Sequence, residues 1–303
     1  MSDGEWLTGC EVPFEQGWRG REKLLQMVVP AIQECLTLIG NTSVQQVPLL
    51  LCVAEPERPG RFADLDDGFL SDVQARLGRA FHADSAIFSR GRIGPVEAIS
   101  RADILISASR PYCIVAAVDT LLTASTLSYY HEKRRLLTSE NSNGFIPGEA
   151  GAAVLLARAN EQLLPQLCCV GLGTGIEKAT VEAEEPLRAD GMTQAIKAAL
   201  ADGQCTYSDL HYRITDISGE QYGFKEAALA LARTIRERKD EFGIWNPADC
   251  IGQPGAAIVP VALGVALAAA RKGYAPGPGV LCHFAADGGD RAALILRYLR
   301  RAA

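Results

Sequence analysis

Apolar residues at Leu24, Leu25, Val28, Val29, Ile32, Leu36 and Ile39 recur at helical spacing, so the pattern predicts an amphipathic helix over 21–39 that Gly40 and Asn41 stop. The continuous apolar run 47–53 is too short for a good helix and ends in the proline- and glycine-bearing stretch 55–60, which predicts a buried strand feeding a loop. Helical spacing returns over 69–81 and over 95–107, with Pro95 at a favourable first-turn position, and strands are predicted at 85–88 and 112–118. The rest of the chain repeats the alternation: strand 168–172, helix 192–201, strand 212–217, helices 225–238 and 255–271, strand 280–284. Strands alternating with helices at this spacing need crossover connections, hence a substantially parallel sheet with helices on both faces.

The two halves match beyond element order. Helix 95–107 leads through strand 112–118 to Gly151-Ala-Ala-Val-Leu-Leu-Ala-Arg158, and helix 255–271 leads through strand 280–284 to Arg291-Ala-Ala-Leu-Ile-Leu-Arg297. This predicts a duplicated unit, each copy closing on an antiparallel pair, the copies related by a pseudo-twofold axis. The expected division is 1–45 as an N-terminal helical extension, 46–165 as a first half and 166–303 as a second, packed as one compact unit.

At 303 residues, 48% hydrophobic and 22% charged, the chain is long and apolar enough to bury a large core, which excludes disorder and a disulfide miniprotein. Its 29 glycines and 7% aromatic content suit close helix-on-sheet packing. A net charge of -6 offers no general field for phosphate backbones or anionic lipid, so neither nucleic acid nor a membrane surface is an expected partner. The apolar run 255–270 carries Pro260 and Gly264 and falls short of a membrane span, so a buried core helix is expected there. The acidic start Met-Ser-Asp-Gly-Glu-Trp predicts no targeting segment at that end. Most of the nine cysteines (Cys35, Cys52, Cys113, Cys168, Cys169 and Cys282 among them) sit in apolar runs, which predicts reduced thiols and a cytoplasmic location. No Cys-x-x-Cys pair occurs and the four histidines are scattered, so neither a metal nor any other cofactor is expected.

The most informative stretch is Val118-Asp119 followed by Asn141-Ser-Asn-Gly-Phe-Ile-Pro-Gly-Glu149 and an Ala-Ala-aliphatic strand. Asn143-Gly144 and Pro147-Gly148 are turn makers, and the glycines of 148–151 let backbones pass closely before a strand at 152–157. In its residues this stretch resembles the β-ketoacyl-acyl-carrier-protein synthases of the thiolase superfamily, strongly over 118–158, from 95 to the C terminus in outline, and not before 47. The resemblance implies an α/β thiolase-like fold, duplicated as αβαβα in five layers. It also implies a catalytic cysteine at the start of the first buried helix, two histidines and a lysine in the second half.

This sequence departs from each of those positions. The nucleophile should fall within Ser89-Arg90-Gly91, where no cysteine stands and Ser89 is the nearest nucleophilic group. The first histidine should lie in 215–225, which offers Asp216 or Ser218; Gln253 occupies the second histidine's place and Ala248 the lysine's. Serine needs a positioned base, and a glutamine amide is no general base at neutral pH, so carbon–carbon condensation is expected to be absent. A replacement triad would pair Ser89 with His211 or His283 and Asp216, but both histidines fall at or in predicted strands, where a structural imidazole is expected. Cys113 and Cys282 are expected core, the pair Cys168-Cys169 strand filling, and Cys250 the one thiol near the ancestral pocket. The residues expected to line that pocket are Ser89, Arg90, Phe145, Ser218, Cys250, Gln253 and Phe284, the last opening the glycine-rich loop 284–290.

These departures predict a non-catalytic binding or adaptor protein. Short, degenerate synthase-like proteins resemble a group encoded beside bacterial type VI secretion effectors, which implies an accessory role in effector handling. Two further readings stay open: an acyltransferase or acyl hydrolase acting on carrier-protein or CoA thioesters through Ser89 or Cys250, and a partner subunit of a true synthase. The expected partners are accordingly an effector, a carrier protein or a synthase homologue, and the resemblance implies a homodimer joined through an edge strand of the first half.

Overall fold

A computed structural model describes residues 6–160 and 166–300. By its contacts the chain forms two compact units: unit one is Met1–Arg158 with Ser218–Gln221 and Ala248–Pro260, and unit two is Ala159–Ile217, Tyr222–Pro247 and Val261–Ala303. Two short loops that the sequence assigns to the second half therefore belong to unit one.

Unit one holds a four-stranded sheet of order β2-β1-β3-β4: β1 is Leu49–Val53, β2 Ala86–Ser89, β3 Tyr112–Thr120 and β4 Glu149–Ala157. Every residue of β1 is buried, as an interior parallel strand covered on both faces requires. It runs parallel to β2 and β3, while β4 lies antiparallel to β3 with Val118 opposite Gly151. Helix α1 (Gly20–Leu36) packs on β4 and β3, and the missing side chain of Gly151 admits the Met27 carbonyl. Leu24, Val28 and Ile32 of this helix share a core with Leu49, Leu51, Ile114 and Val118, and with Phe69 and Val73 of α2 (Asp67–Leu77). Gly78, at a left-handed φ of 63°, caps α2 so that it stops at Leu77, four residues short of the predicted end. Helix α3 (Gly94–Ser107) follows β2, and α4 (Ala124–Glu132), capped by Thr123, was not expected because its apolar spacing is weak.

Unit two holds a five-stranded sheet of order β5-β9-β8-β6-β7: β5 is Gln166–Ile176, β6 Tyr212–Thr215, β7 Ile244–Trp245, β8 Gly279–Ala285 and β9 Asp290–Leu299. Strand β6 is parallel to β7 and β8, and β9 is antiparallel to β8. The run β7-β6-β8-β9 thus repeats β2-β1-β3-β4 strand for strand, in order and direction, as a duplicated unit demands. Strand β5, antiparallel to β9, is the addition. Its Gly171, Gly173 and Gly175 present no side chain to α5 (Asp190–Asp202), so carbonyls of Ala199, Ala195 and Gly191 press directly on the strand.

Helix α6 (Gln221–Thr234) begins and ends four residues before the predicted 225–238. The four-residue α7 (Ala248–Ile251) precedes α8 (Ile258–Lys272). The apolar segment Gly255–Lys272 reaches 18 residues, enough to cross a membrane by length and composition only, and 61% of it is buried inside the protein, as the core helix expected there requires. In unit two the Arg291 guanidinium, 1% exposed, donates to Glu226 Oε1 at 2.8 Å and to the Tyr222 hydroxyl at 2.9 Å. Removing one partner strands the other charge out of water. Glu226→Ala is therefore expected to cost about 3–5 kcal/mol in urea unfolding, while replacing both members with apolar residues costs less.

Candidate functional site

Unit one gathers the loops that follow its strands around two helical starts. After β2, Ser89-Arg90 leads to Gly91, which adopts φ +51° and opens a 3-10 turn into α3. A side chain at Gly91 would collide with the Glu55 carboxylate, which sits just beyond β1. The second start is parallel in form: Gly255, at φ +56°, opens the 3-10 turn Gly255–Ala257 into α8, and a side chain there would strike Asp119 at the end of β3. Each left-handed glycine thus faces a carboxylate, a charge sign that suits a helical N terminus.

Asp119 is 2% exposed and its oxygens are fully employed. Oδ2 accepts from Arg58 Nη1 at 2.5 Å and from the Ala256 amide at 3.0 Å, and Oδ1 accepts from the Thr120 amide at 2.8 Å. Burial works against the Arg58 charge, but Asp119 and then Glu55 hold its pKa above the usual value. Burial raises the Glu55 pKa, opposed by Arg58 and assisted by Asp119.

The motif 141–149 shapes the neighbouring wall. Asn141 Nδ2 donates to the carbonyls of Arg134 at 2.7 Å and Leu136 at 2.8 Å, and Gly144 lies against the Leu136 backbone. Gly148 admits the Ile251 carbonyl, so that Gln253 pairs with this segment through Gln253 N to Ile146 O at 2.8 Å and Gly148 N to Gln253 O at 3.0 Å. The loop 218–221 is fastened alongside: Gly219, at φ +108°, lies on the Gly144 carbonyl, and Gln221 N donates to Asn143 Oδ1 at 2.7 Å. Glu220 takes a two-pronged ion pair from Arg135, whose guanidinium lies over the edge-to-face pair Tyr130 and Phe145, 5.1 and 5.8 Å from their ring centroids. The result places Gln253 Nε2 3.4 Å from Ser218 Oγ, with Gln253 3% exposed.

The structure thus joins two of the expected positions, Ser218 and Gln253, and reassigns others. Asp216 belongs to unit two, where its Oδ2 is buried and accepts from the Ala285 amide at 2.9 Å; Ser218, not Asp216, meets Gln253. Phe284 is fully buried in β8, and Phe145 packs with Leu121, Tyr130 and Leu136, so both act as core. Ser89 ends β2 half-buried, with no hydrogen bond to its hydroxyl among the described residues, and Arg90 reaches Glu97 at 3.2 Å. Ala248 is buried in α7, and Cys250 is exposed on the same turn. His283 is buried, its pKa pushed down to about 3 by burial and then by Arg213, so it is neutral; His211 Nδ1 accepts from the Gly279 amide at 3.2 Å. Burial pushes the Cys113 thiol up to about 12 and Cys282 higher still, as expected of core thiols, whereas Cys169 is exposed and fills no core. Among the described residues no group of three or more metal-ligating side chains occurs. The sequence reading missed Glu55 and Arg58; both lie in a loop whose prolines and glycine signal a turn and nothing about what it faces.

No protein-family model and no curated protein matches this chain. Solved structures do. A chain from a complex of a type II polyketide synthase acyl-carrier protein with its ketosynthase superposes with TM-score 0.74 at 13% identity, covering 95% of this chain and 87% of the other. A Xenorhabdus doucetiae ketosynthase in complex with its chain length factor gives 0.66 at 14%, covering 98% and 90%. A Burkholderia phymatum β-ketoacyl synthase gives 0.71 at 14%, covering 96% and 88%. The chain therefore has the thiolase-like fold of the ketosynthases.

The Glu55 environment has a pH signature. A carboxyl whose folded pKa is raised binds its proton more tightly in the folded state, so its stabilising contribution is complete below the unfolded value and lost as pH rises through the folded one. At pH 7 the Glu55 charge opposes folding. Glu55→Gln is expected to raise Tm at pH 7 and to lose that advantage below about pH 4, as a thermal series across pH would show.

Proposed function

We propose that this chain is a non-catalytic protein on a ketosynthase fold, acting in the cytoplasm by binding a protein partner. The carrying observation is the Gln253–Ser218 pair: an amide and a hydroxyl meet where the resemblance calls for two imidazoles, and neither takes up a proton at neutral pH. Gly91 supplies no nucleophile, its missing side-chain space is taken by Glu55, and among the described residues no hydrogen bond joins the Ser89 hydroxyl to a base. Among partners, a synthase is favoured by the chain length factor seen with its ketosynthase in one similar structure, and a carrier protein by another. The accessory role beside a type VI secretion effector rests on the resemblance of the sequence.

The test is intact-mass measurement after incubation with acyl-CoA and with acyl-carrier protein. No adduct is expected; a stoichiometric one abolished by Ser89→Ala or Cys250→Ala would establish the acyltransferase or hydrolase reading instead. Co-purification with a synthase homologue, as against an effector, separates the two partner classes.

The proposal includes a homodimer through the edge of the first sheet. Strand β2 is half-buried along its length with one edge unpaired, and on α3 the side chain of Ile104 is 55% exposed. Light scattering is expected to give a dimer that Ile104→Glu dissociates; a monomeric wild type at micromolar concentration would remove this part of the proposal.

A further inference from the structure

We propose that segment 6–16 is a displaceable strap over a groove of unit one, and that the groove takes an extended segment of a protein partner carrying apolar, small and acidic residues at alternate positions. The inference deepens the reading of the chain as a partner-binding protein and rests on it for the partner alone.

What the groove accepts is shown by what sits in it. Leu7 packs on the cluster of Leu121, Tyr130, Leu136 and Phe145. A side chain at Gly9 would meet Leu122 at 2.9 Å and the Pro147 carbonyl at 3.5 Å, so a small residue fits there. The Cys10 amide donates to the Pro147 carbonyl at 2.9 Å, with Cys10 beside Gly148 in a parallel bridge, and the Val12 amide donates to Glu149 Oε1 at 2.9 Å. Alternate amides reaching one wall is how an added extended strand pairs. Glu11 takes the Lys23 ammonium at 2.6 Å, which favours an acidic residue at that position. On its other side the same wall bridges Pro147 to Gln253, so the groove lies one strand from that glutamine.

The strap is lightly held. Residues 6–17 are all half-buried or exposed, Trp6 at 93%. Among the described residues, 6–14 make one main-chain to main-chain hydrogen bond, from Cys10. Gly17 and the left-handed Gly20, at φ +61°, join the strap to α1. Its departure strands no buried charge: the fully buried Glu149 carboxylate keeps Lys23 Nζ at 2.7 Å and Thr120 Oγ1 at 2.8 Å. What opening costs is mainly the apolar surface under Leu7, which a partner's apolar side chain covers again.

The full chain carrying Leu7→Ser and Glu11→Gln has a weakened strap, and a fluorescent peptide of residues 6–16 with Cys10→Ser is the probe. The peptide is expected to bind this variant, and the wild type about tenfold or more weaker, because a tethered strap competes at high effective concentration. The same peptide with Leu7→Ser is expected not to bind. Alkylation of the native, half-buried Cys10, followed by peptide mass, is expected to be slower in the wild type than at exposed Cys250 and to rise about tenfold in the variant. Hydrogen exchange on the wild type needs no variant: the 6–16 amides are expected to exchange by local opening, about 100-fold or more faster than those of β3. The proposal is overturned by a folded variant that takes up no peptide, by equal binding of the Leu7→Ser peptide, by unchanged Cys10 alkylation, or by strap amides that exchange only on global unfolding. A synthase homologue or effector that binds the chain and ignores saturating peptide would overturn the groove and leave the partner-binding reading standing. Failure of both partner classes to bind, with peptide uptake intact, would overturn that reading and leave the strap standing.

Discussion

Asp119 is a carboxylate withdrawn from water, so its charge must be met inside the protein or the end of β3 cannot be where it is. Three donors meet it: the Arg58 guanidinium from the loop after β1, the amide of Thr120, and the amide of Ala256 at the start of the turn into α8. One side chain therefore fixes the mutual position of a strand end, a loop and a helical start. The left-handed Gly255 is a condition of that arrangement, since any side chain would occupy the place of the carboxylate. Gly91 and Glu55 repeat the relation at the start of α3 with one difference: Glu55 is only partly buried and its charge is incompletely met.

A second constraint is backbone approach. Gly144, Gly148 and Gly219 each stand where a neighbouring backbone leaves no room for a Cβ, so loops from distant parts of the sequence pack main chain to main chain. That closeness sets Gln253 and Ser218 within reach of one another, with Arg135 and Glu220 clamping the loop from the far side. The motif that carries the resemblance is in this sense a scaffold motif. It stands in a chain where the sequence reading places Ser89, Asp216 or Ser218, Gln253 and Ala248 at the resembling positions.

The central strands were legible because burial on both faces forces continuous apolar runs, and Leu49–Val53 and Gly279–Ala285 cannot be solvated, whereas the two-residue β7 is too short to show such a run and was not expected. The duplication was legible because both copies close with Ala-Ala-aliphatic strands, β4 and β9, whose small residues let neighbours pack closely. Helix ends were less legible: α6 starts at Gln221, where no apolar residue marks the boundary, and α4 carries too little apolar spacing to announce itself. Of the two residues that meet, Gln253 was singled out in the sequence and Ser218 only as an alternative to Asp216. Asp216 could not be told from Ser218, because two neighbouring polar residues at a strand end differ only in what the fold brings against them.

The sequence by itself determined the alternation of strand and helix, the repeat, the reduced core thiols and the absence of a cysteine between Cys52 and Cys113. These follow from residue type and spacing along the chain. Tertiary structure alone decided that Glu55 lies against Gly91, that Arg58 is shared by two carboxylates, and that Asp216 serves unit two. Each of these is a matter of which groups exclude water from one another. Exclusion of water depends on packing between segments far apart in the chain, which no local pattern records.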